Sequence, residues 1–253
     1  KMTKHGDSKT LKRLNTPKFL QIKRKHGKFF VSPSPGPHPK RFCLPLLHIV
    51  RDLLDIMDNH REAKKLIGRG HFKVDGKVVL DEKFPVGLMD VLSIDEIDTH
   101  YRVIPDSHYG LMLHEISKEE SEYKLCRIKG KTTLKGGHIQ LNLHDGRNIL
   151  IRVKDPTDPE EDTYKRMDVL KISLPEQEIQ KRLKFSVGKL ALIIDGANIG
   201  QVGKIMDIQK RFGPNASTVS IEHDGGRTET SYDYTFILGD EEPEIDFPQN
   251  SEK

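Results

Sequence analysis

The chain of 253 residues has no tryptophan and only two cysteines, Cys43 and Cys126, which lie far apart with no Cys-x-x-Cys spacing. A zinc site needs four ligands at short spacings. The histidines are scattered with no His-Glu-x-x-His run, so no metal centre is expected. Both thiols read as reduced core or near-surface groups of a cytosolic protein. No apolar run reaches the roughly 18–20 residues of a membrane span, and the basic start lacks an apolar signal-peptide stretch, so no membrane association is expected. Asn215-Ala-Ser217 spells a glycosylation acceptor, a chance match in a chain without a secretory signal. Hydrophobic residues make up 35% and charged residues 32%, a thin core under a large charged surface. That balance points to several small modules rather than one large enzyme fold. Acid is scarce at one end: residues 1–41 carry twelve Lys/Arg against a single acid, Asp7, whereas the stretch from Asp240 carries six Asp/Glu against one Lys. The net charge of +4 hides this asymmetry, which fits a polyanionic partner better than two solvated ends.

The basic arm has few regularly spaced apolar residues and is followed by SPSPGPHP (Ser32–Pro39). Four prolines in eight residues exclude a helix or central strand and predict a stiff extended connector. From Leu44, the residues Leu46, Val50, Leu53 and Met57 recur at helical spacing, widened by Leu47, Ile49 and Leu54. Asn59 with Glu62 resembles a capping box, which predicts a second helix to about Ile67, stopped at Gly68 or Gly70. Ala63, Leu66 and Ile67 share one face of it. Arg61, Lys65 and Arg69 share the other, with Lys64 beside them, a face able to lie along a phosphate backbone or simply in water. HFKVDGKVVL (His71–Leu80) reads as two short strands joined by a type I′ turn at Asp75-Gly76, and FPVGLMDVLSI (Phe84–Ile94) adds a turn and a strand. Residues 98–183 read as mostly strand with a second turn at Asp145-Gly146. There LPEQEIQKRLKF serves equally as a helical turn or a strand lead-in, and His144, Asp145 and Asp168 read as turn or surface residues. From Val187, short strands at regular spacing indicate a small barrel.

Two glycine-rich stretches imitate nucleotide loops. IDGANIGQVGKI (Ile194–Ile205) spaces Gly196, Gly200 and Gly203 as Gly-x-x-x-Gly-x-x-Gly, and the strand-like KIMDI follows where a dinucleotide fingerprint requires a helix. GKTTLKGG (Gly130–Gly137) copies the end of a P-loop but has Leu125 where that motif needs glycine. The remaining readings of Ile194–Ile205 are a turn that brings backbone close to a sugar–phosphate chain, or a barrel turn with no ligand.

The stretch VGKLALIIDGANIGQVGKIMDI (Val187–Ile208) resembles the KOW motif of ribosomal proteins and some transcription elongation factors. GHFKVDGKVV (Gly70–Val79) and GLMDVLSI (Gly87–Ile94), preceded by two helices, resemble the RNA-binding module shared by a primary-binding small-subunit ribosomal protein, some pseudouridine synthases and tyrosyl-tRNA synthetases. Together with the arm and the SPGPHP connector, this order covers nearly the whole chain. It resembles the small-subunit ribosomal protein family S-four-e of archaea and eukaryotes, leaning towards an archaeal member. The resemblance implies a multidomain α+β chain: a basic extension and connector over 1–42, a small helical/β RNA-binding module over 43–97, a central mostly-β domain over 98–183, a C-terminal SH3-like KOW β-barrel over 184–239, and an acidic tail over 240–253. It also implies a non-catalytic protein of the cytoplasmic small ribosomal subunit, with small-subunit rRNA and neighbouring small-subunit ribosomal proteins as partners, and with no cofactor or small-molecule substrate.

The RNA contacts expected on that basis are Lys12, Arg13, Lys18, Lys23, Arg24, Lys25, Lys28, Lys40 and Arg41 of the arm. To these are added Arg61, Lys64, Lys65 and Arg69 of the helix, Lys73 and Lys77 of the hairpin, and Gly196, Asn198 and Lys204 of the glycine loop. The arm, poor in apolar residues, is expected to fold only on rRNA. An RNA-modifying enzyme using the helical module for targeting, or a KOW elongation factor, are the competing readings. The first needs an active site within 98–183, where no nucleophile–base set stands out. The second leaves the first hundred residues unexplained.

Overall fold

The computed structural model describes residues 10–22, 25, 27–107, 110–154, 162–211, 217–223 and 226–248. The arm pairs β1 (Leu11–Lys12) with β2 (Phe29–Phe30) in an antiparallel ribbon. Leu11, Leu20 and Phe30 are buried in the first hydrophobic core. The expectation of an arm without order of its own is corrected for its described part. Its apolar residues are few, but each of these three reaches the core, so a thin composition still anchors the segment. The proline connector has no helix or strand, but it bends through Pro35–His38 rather than running extended throughout, and Ser34 N donates to Lys83 O at 2.8 Å.

β3 (Cys43–Pro45) leads into a single α turn, α1 (Leu46–His48), which widens at once into a π turn over Ile49–Leu53. The continuous helix expected to Met57 is therefore absent. Leu46 through Val50 are buried while Arg51 and Asp52 turn partly to solvent, and the helical run ends after the π turn, where Asp55 takes a left-handed φ of 51°. The wide turn closes through Leu54 N to Ile49 O at 2.9 Å. α2 (His60–Gly68) follows as expected and buries Ala63 and Ile67, although the Asn59 side chain makes no capping bond. β4 (Phe72–Val74) and β5 (Lys77–Val78) close on Asp75 at φ 50° and Gly76 at φ 75°, the positive values of the expected turn.

β6 (Pro85–Gly87) pairs with β3. β7 (Val91–Ile94), β8 (Thr99–Asp106) and β9 (Gly110–Ile116) extend the hairpin into a sheet ordered β5-β4-β7-β8-β9. This sheet runs past residue 97, so the hydrogen-bonded unit is larger than the expected module. After α3 (Lys118–Ser121), capped by Ser117, come β10 (Tyr123–Thr133), β11 (Ile139–Leu143), β12 (Asn148–Ile151), β13 (Val169–Ser173) and β14 (Ile179–Leu183), ordered β12-β11-β10-β13-β14. The first half of β10 pairs with β13 and the second half with β11, across a register shift at Ile128/Gly130. LPEQEIQKRLKF resolves as a turn and then a strand. The last sheet holds β15 (Leu190–Ile193), β16 (Val202–Gln209), β17 (Thr218–His223), β18 (Gly226–Ser231) and β19 (Thr235–Gly239), ordered β18-β17-β16-β15-β19 and all antiparallel.

These units share cores. One cluster joins Leu88 and Met89 of the first unit, Leu125, Val169 and Leu183 of the second, and Ala191, Ile205, Phe236 and Ile245 of the last. Ile245 lies within the segment expected to be an acidic tail and is 2% exposed. The described part of that segment, through Pro248, is anchored by Ile245 and Phe247, while Glu241, Glu242 and Asp246 stay exposed.

Candidate nucleic-acid interface

α2 presents its cations as its periodicity dictates. Ala63 and Ile67 face the core while Arg61, Lys64, Lys65 and Arg69 are exposed. Lys64 Nζ lies 3.3 Å from Glu82, which His60 also approaches at 3.2 Å. Arg61, Lys65 and Arg69 have no carboxylate partner among the described residues. On the hairpin that follows, Lys77 is exposed, whereas Lys73 is half-buried and paired with Asp95 at 2.7 Å. Helix and hairpin therefore share one sheet-backed unit with more cation than acid on its helical face.

In the arm, Lys12, Lys18, Lys25, Lys28, Lys40 and Arg41 are exposed, and Arg13 is half-buried. Lys28 Nζ stands 5.7 Å from the Phe29 ring centroid. Lys23 and Arg24 lie outside the described residues. Because Leu20 and Phe30 enter the same core as Ala63 and Ile67, the arm is fixed on the unit that carries α2.

The glycine loop lies on the last unit, between β15 and β16. Gly196 is exposed at φ 97°, Asn198 is half-buried, and Lys204 is exposed opposite Glu222. The close approach that glycine permits is used inside the protein. A Cβ on Gly200 would stand 2.9 Å from Ser107 N, in the turn region after β8, and one on Gly203 would collide with Glu222 O of β17. The tip at Gly196 and Asn198, with the exposed Lys204, remains for an outside partner.

A buried ionic cluster joins the units and was missed by sequence reasoning. Lys124, 0% exposed on β10, donates to Asp75 at 2.9 Å, Asp90 at 2.5 Å and Asp145 at 3.0 Å. Arg147 reaches Asp75 at 2.6 Å and Asp145 at 3.3 Å, and His38 of the connector reaches Asp90 at 2.9 Å. Backbone amides of Val91 and Gly87 supply Asp75 and Asp90 with further bonds. Burial opposes each carboxylate, but Lys124 and its neighbours hold Asp90 well below the usual range and Asp145 down at about 2. Asp75, beside Asp90, is held above it by burial, and Lys124 is raised well above its ordinary value by the three acids. Asp145 and Asp168 are thus buried ion-pair residues, not surface turns. Asp168 is bound by Arg182 at 2.6 Å and by the amides of Lys165 and Phe185. His144 is half-buried, with Nδ1 accepting from Arg127 N and Nε2 donating to Leu88 O. Burial and the Lys124 charge lower it to about 3. The donor atoms of Cys126, His144 and Asp145 lie within 4.8 Å of one another. Lys124 already places its ammonium against Asp145, and burial keeps the Cys126 thiol protonated, so the set suits an ion pair rather than a metal. One signal was available in the sequence: in KLCRI, Lys124 alternates in phase with the inward-facing Cys126 and Ile128.

Comparisons with known proteins agree with this arrangement. Residues 5–41 match the RS4NT (NUC023) domain, residues 59–92 the S4 domain, and residues 97–179 ribosomal family S4e. The small ribosomal subunit protein eS4 of Staphylothermus marinus is 52% identical over 251 residues, covering 99% of this chain and 100% of that protein. The protein of the same name from Methanocaldococcus jannaschii is 51% identical over 245 residues, covering 96% and 99%. The crystal structure of the 30S ribosomal protein S4e from Thermoplasma acidophilum, at 35% identity, aligns with a TM-score of 0.64 over 77% of this chain and 93% of that one. With identities of this size along essentially its whole length, the chain belongs to the ribosomal protein S4e family.

Proposed function

We propose that the chain is a non-catalytic constituent of the small ribosomal subunit in the cytoplasm, holding small-subunit rRNA and supporting subunit assembly and translation. The observation that carries this reading is the exposed row Arg61, Lys65 and Arg69 on α2, without carboxylate partners among the described residues, on a unit that matches the S4 domain. Each cation placed beside a phosphate releases counterions and contributes affinity without reading sequence. A duplex displays phosphates and 2′-hydroxyls better than base edges, so this surface reads shape. The arm cations extend it, and the tip at Gly196 and Asn198 adds a contact on a KOW-type SH3-like barrel formed by the last sheet. Neighbouring small-subunit proteins complete the set of partners.

An enzymatic reading would place its site in the central region, but Lys124, Asp145 and Asp168 there are engaged in ion pairs that join elements. An elongation factor would use the last sheet and leave α2 and the arm idle. The test is the triple change Arg61→Glu, Lys65→Glu, Arg69→Glu. Binding to small-subunit rRNA is expected to weaken and its salt dependence to flatten by about three phosphate contacts, with loss from 30S particles on sucrose gradients. An unchanged salt slope with full incorporation would remove α2 from the interface.

A further inference from the structure

The acidic segment that the rRNA reading leaves idle lies across a second cationic face. Asp240 carboxylate oxygens stand 2.6 Å from Lys189 Nζ and 3.7 Å from Lys181 Nζ. Glu244 stands 2.5 Å from Lys181 and 3.1 Å from Lys171. Three lysines from the β13, β14 and β15 region thus meet two carboxylates of one short strap. The strap's backbone is fixed independently of these pairs. Gly239 bridges to Pro243, Glu244 N donates to Leu238 O at 3.0 Å, Tyr123 Oη donates to Glu244 O at 2.8 Å, and Asp246 N donates to Glu120 at 2.7 Å. Ile245 is buried in the shared core and Phe247 packs against it.

We propose that this strap is a built-in stand-in for an RNA backbone, closing the Lys171–Lys181–Lys189 face against RNA. Carboxylates held on an anchored segment act at high effective concentration, which a free phosphate chain must overcome. Glu241 and Glu242, exposed on the same strap, pair with none of the three lysines among the described residues. On α2 the opposite holds, since Arg61, Lys65 and Arg69 have no carboxylate partner among the described residues. The contrast leaves the α2 cations open to a polyanion and the Lys171–Lys181–Lys189 face shut. The inference rests on the strap and its lysines alone and stands apart from which cations contact rRNA.

The test uses the full chain carrying Asp240→Asn and Glu244→Gln, with polyuridylate as probe in a salt titration. Three freed lysines at about 0.7 per contact steepen the salt slope by roughly two, so the variant's advantage over wild type grows about fifteenfold between about 200 and 50 mM salt. Adding Lys171→Gln, Lys181→Gln and Lys189→Gln is expected to restore the wild-type slope. Glu241→Gln with Glu242→Gln, an equal change in charge, is expected to leave it unaltered. An unchanged slope in D240N/E244Q, or an equal rise in E241Q/E242Q, overturns the proposal. A measurement on wild type covers the case in which D240N/E244Q does not fold: acetic anhydride labelling with and without polyuridylate, read by mass spectrometry. RNA that protects Lys65 and leaves Lys181 labelled supports the closed face, and RNA that protects Lys181 refutes it.

Discussion

Replacing Lys124 with methionine keeps the volume and removes the only charge that touches all three of Asp75, Asp90 and Asp145. Arg147 remains for Asp75 and Asp145, and His38 for Asp90, so the acids are weakened rather than abandoned. Removing one partner of a buried ion pair costs about 3–5 kcal/mol, a large share of a typical stability of roughly 5–15 kcal/mol. At about 2–4 °C per kcal/mol for a chain of this size, the melting midpoint falls by roughly 10 °C.

The pH dependence gives the sharper signature. In the wild type, Asp90 and Asp145 have depressed folded values, so their contribution is present above the unfolded value near ~4 and is lost as pH falls towards about 2. In K124M the same acids are buried without the ammonium, and their folded values rise. The protonated form is then favoured in the native state, so K124M gains stability relative to the wild type as pH falls from 7 to 5, over a background in which the raised Asp75 carboxyl adds stability on acidification and His144, lowered to about 3, removes it. Calorimetric melts of both proteins across that range decide the matter. Adding Asp90→Asn to K124M is expected to recover part of the loss, because one uncompensated charge disappears. A K124M protein that melts within 2 °C of wild type, about the effect of one kcal/mol, or that keeps the wild-type pH profile, would refute the reasoning.

Gly200→Ala forces a Cβ to within 2.9 Å of Ser107 N at φ 83°, and a loss of about 2–4 kcal/mol in urea denaturation is expected. Gly188→Ala, at φ 87° with open space around it, should cost only the backbone part, about 1 kcal/mol; equal losses would show that the contact across the units contributes nothing. Leu20→Ala empties a site only 2% exposed and should free the arm for tryptic cleavage at Lys18 and Lys25, and equally rapid cleavage of the wild type would deny that Leu20 anchors it. Burial pushes the Cys43 thiol up to about 12 and raises Cys126 well above its ordinary value, so a thiol reagent at pH 8 should titrate neither in the native protein and both after denaturation.

What could be foreseen from the residues was decided locally. The Asp75-Gly76 hairpin follows from two residues that tolerate positive φ, and α2 follows from its own periodicity. The strands around Asp145-Gly146 alternate as half-buried strands do. The first helix stops short of Met57 because Asp55 takes a left-handed φ of 51° just after the π turn, a local break that the apolar spacing does not announce. The role of Lys124 stayed hidden because its partners lie 49, 34 and 21 residues away, and no window of sequence brings them together. The acidic segment misled for the same reason. Composition reads as a solvated tail until Ile245 finds a core and Glu244 finds lysines 63 and 73 positions earlier.

Long-range pairing also changes what the domain order means. A string of modules on flexible joints would adapt each RNA contact separately. Here Asp75 and Asp90 come from the unit of α2, Lys124 and Asp145 from the central sheets, and His38 from the connector. The ring of His144 packs 5.7 Å from Phe236 of the last sheet. A buried charge cluster tolerates little displacement, because any shift strands an ion without water or partner. The spacing between the α2 cations and the tip at Gly196 is therefore set by the protein before RNA arrives. Gly200, pressed against Ser107, fixes the loop to the first unit's sheet at the other end of that span. On the proposed reading of α2 and the loop tip as RNA contacts, a rigid spacer of this kind selects RNA by the distance between phosphates that its two ends can reach, which is shape recognition built from residues that need not touch RNA.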